Sequence, residues 1–229
     1  MSKASIETAL VALPNLSEQK LIAETQQKLQ RLQSTINHFD SELALNPVSS
    51  SAIPDQLDKM LAAIDALTDA DKIRRLAREG ESKSVEFKQT FSLDIKEQKK
   101  AEYLETSALK TLIAFLNTDG GTLLIGVADN GQILGIEAEI EKLHKNVDKF
   151  LLHWKGQIKS RIGEGLYPLI EYRAAKVDTK TVLLVECKAS PGPCYLNKNE
   201  FYVRTNPSTD KLEGPALVGY VQNHFKPAQ

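Results

Sequence analysis

The sequence contains few of the residues that mark several common protein classes. Its 229 residues include two cysteines and one tryptophan, and 29 basic side chains nearly balance 30 acidic ones. Cys187 and Cys194 are too few for a disulfide framework, and no second cysteine pair completes a zinc site. We therefore expect both thiols to be free.

Long apolar runs and strong net charge are also lacking. No run approaches the ~20 residues of a membrane span, and the N-terminus has no charged region followed by an apolar core. We therefore expect a soluble, cytoplasmic protein without a membrane partner. Nucleic-acid-binding domains are often strongly basic, whereas here the charges nearly balance in residues 1–80 and in residues 81–229. Any basic surface must then be a local patch.

Residues 1–80 differ in composition from the rest of the chain, with Gly80 as their one glycine. Apolar positions recur at alternating spacings of three and four along residues 22–43, which predicts a coiled-coil-like seam. The seam consists of Ile22, Thr25, Leu29, Leu32, Ile36, Phe39 and Leu43. Two interpretations remain open for this all-α arm: a helical hairpin packed on its own chain, or a helix that joins copies of the chain into a homo-oligomer.

Residues 81–229 mix strand and helix patterns, which predicts one α+β domain with a mixed sheet flanked by helices rather than a repeating βαβ array. Residues 122–127 form a nearly continuous apolar run, typical of a buried central strand. The turn residues Asp129-Asn130-Gly131 follow, and we predict that they lead into a strand at residues 133–136.

Two helices are predicted in this domain from apolar stripes, at residues 100–116 and near residues 143–162. The side of the second helix opposite its stripe is predicted to be solvated. This side carries Lys142, Lys145, Lys149 and His153.

Three carboxylates near predicted strand ends suggest one site for chemistry. Glu81, Glu86 and Asp129 could together bind one or two Mg²⁺ or Mn²⁺ ions, because these hard cations prefer oxygen ligands. Such ions activate water against a phosphodiester. Lys88 would project from the same strand face as Glu86 and could stabilise developing charge. The alternative is that these acids are solvated strand ends, and that Asp129 simply favours its turn.

A second acidic pattern lies further along the chain. Asp178 with Glu186-Cys187-Lys188 imitates the acid…acid-x-Lys pattern of restriction-type nucleases, but short patterns of this kind arise often by chance. Asp178 is explained more simply as a turn residue.

Basic and glycine residues suggest candidate phosphate contacts. Lys72, Arg74, Arg75 and Arg78 precede Glu81, where they would either favour a helix C-terminus or form a phosphate-contacting edge. The Gly120-Gly121 pair could allow close approach of the backbone to a phosphate. However, neither a P-loop nor a dinucleotide-binding glycine motif is present, and the four histidines have no ligand spacing.

Three segments together resemble the Schlafen AlbA-type domain, over residues 81–225. The first, at residues 81–88, reads Glu-Ser-Lys-Ser-Val-Glu-Phe-Lys. The second, at residues 114–131, contains Asn-Thr-Asp-Gly-Gly followed by the apolar run and Ala-Asp-Asn-Gly. The third is Phe201-Tyr202-Val203-Arg204, followed by Ser208-Thr209.

The resemblance implies an α+β fold and binding of DNA or RNA, as in regulatory or defence-type proteins. Phosphate contacts are then expected from Lys88, Arg204 and the run that contains Arg74, Arg75 and Arg78.

The resemblance also implies an enzymatic alternative, because related domains act as metal-dependent RNases. By motif position the carboxylate triad would be Glu81, Glu86 and Asp129, with Lys88 beside it. Many relatives have two acids where this chain has Ala128-Asp129, so the triad could be incomplete here. A further alternative is a protein-interaction or regulatory module that binds no nucleic acid, in line with the near-neutral charge.

Overall fold

The computed structural model describes residues 69–205 and 208–225. These residues belong to one compact unit, Ala62–Gln229. The predicted seam at residues 22–43 lies outside the described residues.

The described residues form eight strands and five α-helices. The strands are β1 (Val85–Lys88), β2 (Leu93–Asp94), β3 (Lys99–Lys100), β4 (Gly121–Ile125), β5 (Ile170–Val177), β6 (Lys180–Cys187), β7 (Phe201–Arg204) and β8 (Thr209–Leu212). The helices are α1 (residues 69–79), α2 (Glu102–Leu116), α3 (Glu137–Glu139), α4 (Val147–Arg161) and α5 (Gly214–His224). A π-helical turn, Ile140–His144, continues α3, and a 3₁₀ segment, Glu164–Leu169, precedes β5. Among the described residues, no helix is both long enough and apolar enough to cross a membrane.

The centre of the fold is a four-stranded mixed sheet in the order β1-β4-β6-β5. β1 runs parallel to β4, and the other neighbouring pairs are antiparallel. β2 and β3 form a small hairpin, and β7 and β8 form a second one. The predicted α+β fold with a mixed sheet flanked by helices is confirmed.

The sheet is covered on both faces, and the alternation of its side chains explains the continuous apolar runs. Leu123 and Ile125 of β4 face a core shared with α2 and α4. Leu124 faces the other side, where it shares a core with Ile73 and Leu76 of α1. A strand buried on both faces has no solvent-facing position, which is why residues 123–127 carry no polar side chain.

Helix α1 therefore packs in the core of this domain, although its composition is similar to that of the residues before it. Gly80 ends this helix with φ +86° and donates its N–H to Leu76 O at 3.0 Å. The compact unit thus extends N-terminal to the Gly80 boundary that composition suggests.

The turn at residues 129–131 forms as predicted, but the strand predicted at residues 133–136 does not. Only a single bridge joins Val127 to Ile133. The chain then bends, because the N–H groups of Leu134 and Gly135 both bond to Gly126 O, at 2.8 and 2.9 Å. This arrangement leaves no regular ladder that a strand could extend.

Candidate functional site

Strand β1 carries two of the predicted site residues on one face. Val85 and Phe87 point into the core, while Glu86 and Lys88 are half-buried on the opposite face. Lys88 Nζ bonds to Glu86 and also donates to Phe87 O at 2.9 Å. Glu81 lies before the strand and accepts the Phe87 N–H at 2.9 Å. The structure thus brings Glu81, Glu86 and Lys88 to the same strand.

Arg204 lies inside the protein. Its side chain is only 1% exposed, and its Nη1 donates to Glu86 Oε2 at 2.9 Å and to Thr209 Oγ1 at 3.0 Å. Its other nitrogens donate to the carbonyls of Ser82 and Lys83 at 2.6 and 3.2 Å. A guanidinium engaged in this way holds the chain entering β1 against β7 and β8, and is not available to a phosphate on the surface.

These contacts decide what Glu86 can do in this conformation. Its carboxylate faces two cations, Lys88 and Arg204. Within residues 69–205 and 208–225, no three histidine, cysteine, aspartate or glutamate side chains are grouped so as to hold a metal ion. As folded, Glu81, Glu86 and Asp129 do not fit the Mg²⁺ or Mn²⁺ site that the sequence suggests.

Asp129 lies instead on an open cleft that Lys88 also lines. This cleft has a volume of about 340 Å³ and lies at the C-terminal ends of the parallel strands β1 and β4. Residues after β1, residues of the β2–β3 hairpin and the start of α2 complete its walls. They are Gln89, Thr90, Leu93, Asp94, Ile95, Lys96, Tyr103 and Leu104. Neither Glu81 nor Glu86, both in the described part of the chain, lines it.

Ion pairs neutralise much of the predicted basic run on α1. Arg74 pairs with Asp71 at 3.2 Å and with Asp178 at 2.8 Å. Arg75 pairs with Glu79 at 3.2 Å, one helical turn away. Arg78 also has an interaction partner.

The acids of the second pattern, Asp178 and Glu186, also form ion pairs with basic side chains. Glu186 accepts hydrogen bonds from Lys72 and from Arg173. Asp178 has φ +56° in the turn between β5 and β6, as expected for a turn former. Both acids therefore have structural partners.

The β2–β3 hairpin forms the outer wall of the cleft and was not foreseen from the sequence. Its attachment depends on Glu139 of α3, which is fully buried. The two carboxylate oxygens of Glu139 accept the N–H groups of Phe91 and Ser92 at 2.8 and 2.7 Å. The hairpin itself exposes Lys96, Lys99 and Lys100, and Lys142 donates to Gln98 at its turn at 2.7 Å.

A second buried carboxylate, that of Glu105, holds the same hairpin to α2 and α4. Its Oε1 lies 2.8 Å from His153 Nε2, 2.8 Å from Ser92 Oγ and 3.1 Å from Lys100 Nζ. Burial raises the pKa of Glu105, but the hydrogen bonds from His153, Ser92 and Lys100 outweigh it, and its pKa falls from 4.5 to about 2. His153, predicted on a solvated face, is thus a partner of a buried acid.

The glycine pair after α2 also has a structural role. A Cβ on Gly120 would lie 2.5 Å from Cys187 O, and one on Gly121 would lie 2.4 Å from the Phe115 ring. Before them, the side chain of Asn117 is fully buried and bonds to Cys194 N, Cys194 O and Tyr202 O at 2.8–3.0 Å. In this conformation both glycines lie against other residues of the protein, Gly120 against Cys187 and Gly121 against Phe115.

Together, the two-sided mixed sheet and the motifs around β1, β4 and β7 define a Schlafen AlbA-type domain. Residues 81–213, more than half of the chain, match the family model Schlafen, AlbA_2, and the chain belongs to this family. The family predicted from the three segments is confirmed.

Two solved structures are similar at low identity. The DIP2311 protein from Corynebacterium diphtheriae is 19% identical with a TM-score of 0.43, and the match covers 62% of this chain but only 27% of that one. The N-terminal domain of a RecG-related protein from Nitrosomonas europaea is 22% identical with a TM-score of 0.39, and the match covers 66% of this chain and 95% of that domain. The comparison with curated proteins gives no match.

Removing the Arg204 side chain should destabilise the domain strongly. Arg204→Ala leaves Glu86 and two carbonyls without their buried partner, so we expect a loss of about 3–5 kcal/mol in the free energy of unfolding. Arg204→Lys should recover only part of this loss, because an ammonium lacks the fixed fork of donors. Urea unfolding followed by circular dichroism measures both. Arg75→Ala, at an exposed ion pair, should change stability by less than about 1 kcal/mol, and an equal effect at both positions would contradict the structural role of Arg204.

The carboxylate of Glu105 should make stability depend on acid pH. Because its folded pKa is below its ordinary value of 4.5, it stabilises the fold above that pH, and this stabilisation is lost as pH falls toward 2. Glu105→Gln should therefore cost about 3 kcal/mol at pH 7, and the difference from the unmodified protein should shrink below pH 4.5. Urea unfolding at pH 7, 5 and 3 tests this, with the exposed Glu141→Gln as control. A difference that stays constant across this range would contradict it.

Proposed function

We propose that this domain binds nucleic acid through the cleft between the C-terminal ends of β1 and β4 and the β2–β3 hairpin. The observation that carries the proposal is the pair Lys88 and Lys96, which line an open cleft of about 340 Å³. Membership of the Schlafen AlbA_2 family supports it, since the resemblance implies DNA or RNA binding.

The distribution of charge supports a local interface on a protein of nearly zero net charge. Lys96 has no side-chain partner among the described residues, whereas Lys99 and Lys100 of the same hairpin pair with Glu97 and Glu105. Asp94, the acid beside Lys96, already accepts the N–H groups of Lys96 and Glu97 at 2.9 and 3.0 Å. Lys96 can therefore offer its ammonium group to a phosphate without an excess of basic residues in the whole chain.

This proposal moves the phosphate contacts away from the arginines suggested by the sequence. Arg204 is buried, and Arg74 and Arg75 have carboxylate partners. Lys88 stays a candidate phosphate contact in this proposal because it lines the cleft, although its ammonium also pairs with Glu86.

Cleavage by Glu81, Glu86 and Asp129 is the enzymatic alternative, and no contact of these residues favours it. The positive charges of Lys88 and Arg204 beside Glu86 would oppose a metal ion at this carboxylate. We therefore propose binding without cleavage. Incubating the bound probe with Mg²⁺ or Mn²⁺ tests this, and metal-dependent cleavage abolished by Glu86→Gln would replace our proposal by the nuclease alternative.

We also propose that the seam at residues 22–43 joins copies of the chain, as its a/d spacing suggests. Self-association would place several binding clefts on one assembly. Linked clefts would raise affinity for long nucleic acids through effective concentration.

Neutralising the two lysines of the cleft should weaken binding. For Lys88→Ala/Lys96→Ala we expect lower affinity for DNA and RNA, and a salt dependence of log K shallower by about 1.4 for single strands or 1.8 for duplex, because two counterion-releasing contacts are lost. Fluorescence anisotropy with labelled oligonucleotides over 50–200 mM salt measures both effects.

The matched control removes two lysines from the β6–β5 end of the sheet, whose other edge is β1. Lys176→Ala/Lys188→Ala changes the net charge equally, on strand β5 and just after β6, where both side chains are 66% exposed. Equal loss in the two double variants would contradict the cleft as the interface. If the unmodified protein binds neither DNA nor RNA at micromolar concentration and low salt, the proposed function is wrong. The protein-interaction alternative would then be favoured, for which helix α5 offers a surface without a single buried residue.

The seam predicts a concentration-dependent assembly of the full chain. Leu29→Asp/Leu32→Asp should shift the protein toward the monomer, because charges at a and d positions oppose burial of the seam. Sedimentation equilibrium measures this shift. A monomeric mass for the unmodified chain would contradict oligomerisation and favour the intramolecular hairpin.

A further inference from the structure

The apolar part of the cleft has a property that phosphate binding does not explain. Among the described residues, four large hydrophobic side chains are exposed, and two of them, Tyr103 at 62% and Ile95 at 47%, line this one cleft. Leu93 and Leu104 line it as well. Exposed apolar groups gathered at one concave site are typical of ligand-binding surfaces.

The exposed Tyr103 ring is also held in place. Its hydroxyl donates to Asp94 Oδ2 at 2.7 Å, and Asp94 Oδ1 is fixed by two backbone N–H groups of the hairpin turn. This hydrogen bond to Asp94 raises the pKa of Tyr103, so the phenol keeps the proton that it donates. An aromatic ring that is both exposed and fixed offers a flat face at little entropic cost on binding.

The carboxylates of the cleft indicate which part of a nucleotide enters it. Asp94 and Asp129 both line the cleft and would repel a phosphate placed inside. The ammonium of Lys96 lies on the exposed hairpin and has no side-chain partner among the described residues. A phosphate is therefore favoured beside Lys88 or Lys96, and an uncharged planar group is favoured beside the apolar side chains of the cleft.

We propose that the cleft binds an unpaired nucleobase, which stacks on Tyr103 between Ile95 and Leu104, so that the domain prefers single-stranded over duplex nucleic acid. This inference rests on the proposed function and specifies its substrate class. In a duplex both faces of each base are covered by neighbouring bases, whereas an unpaired base can present a free face to an aromatic ring. A volume near the lower end of small-ligand pockets is large enough for one base.

The test compares Tyr103→Ala with Leu152→Ala, since both side chains are 62% exposed and Leu152 lies on α4, outside the cleft. Anisotropy with a single-stranded oligonucleotide and with a blunt duplex of the same length gives two affinities for each protein. Tyr103→Ala should bind the single strand about 5- to 150-fold more weakly, as expected for the loss of one stacked base. Its duplex affinity, and both affinities of Leu152→Ala, should change less than about twofold.

Two further measurements separate stacking from a change in fold. Tyr103→Phe keeps the ring and loses its bond to Asp94, so it should retain most of the single-strand affinity. Photo-crosslinking of the unmodified protein to a single strand containing 5-iodouracil should attach the oligonucleotide at Tyr103, as mapped by mass spectrometry.

The outcomes distinguish this inference from the function on which it rests. Absence of binding to both probes would overturn the proposed function together with the inference. Binding of both probes with equal affinity, or an unchanged single-strand affinity in Tyr103→Ala, would overturn the nucleobase site alone and leave electrostatic binding through Lys88 and Lys96 in place.

Discussion

The buried ion pair between Arg204 and Glu86 is the interaction on which the arrangement of the site depends. Arg204 comes from the end of β7, yet its donors reach β1, the chain entering β1 and Thr209 at the start of β8. Its guanidinium also lies 5.1 Å from the centre of the Phe115 ring on α2. A buried charge tolerates this position only while its partners remain, so these elements hold one another in register. The same pair engages Glu86 Oε2 in a structural contact.

A similar use of buried charge positions the β2–β3 hairpin. Two-residue strands have too few ladder bonds to be stable alone. Glu139 and Glu105 supply the missing contacts from α3 and α2, by accepting backbone and side-chain donors of Phe91, Ser92 and Lys100. The carboxylates of Glu105 and Glu139 are buried, while the lysines of the hairpin and Tyr103 are exposed to solvent. The cleft is thus an exposed surface on a rigidly supported wall, which is the arrangement that favours recognition without large rearrangement.

The sequence predicts the sheet better than the site, for a physical reason. The run at residues 122–127 and the turn at Asp129-Asn130-Gly131 are local signals, and the structure confirms both. The glycine pair suggests a close approach of the backbone to a phosphate, whereas in the fold Gly120 lies against Cys187 O, which is distant in sequence, and Gly121 lies against the nearby Phe115 ring. The partners of Arg204 and His153 are also distant in sequence. Sequence patterns predict that a charged residue at a strand end or on a helix is solvated. They do not predict a contact with a carboxylate that is distant in sequence.

The same limit explains why the acid-and-lysine motif of this chain does not reveal which contacts its side chains make. Glu81, Glu86 and Lys88 have the residue types of a metal-dependent nuclease, but each has a partner within the protein. Glu81 accepts the Phe87 N–H, and Glu86 pairs with both Lys88 and Arg204. Paired charges are satisfied, and the free energy of their pairing opposes recruitment of a metal ion. The groups with unused capacity lie a few residues further along, in the cleft lined by Lys96 and Tyr103. A ligand at the Lys96 ammonium or at the exposed face of the Tyr103 ring would displace no ion pair of the described residues, whereas a ligand at Glu86 or Lys88 would compete with an existing pair.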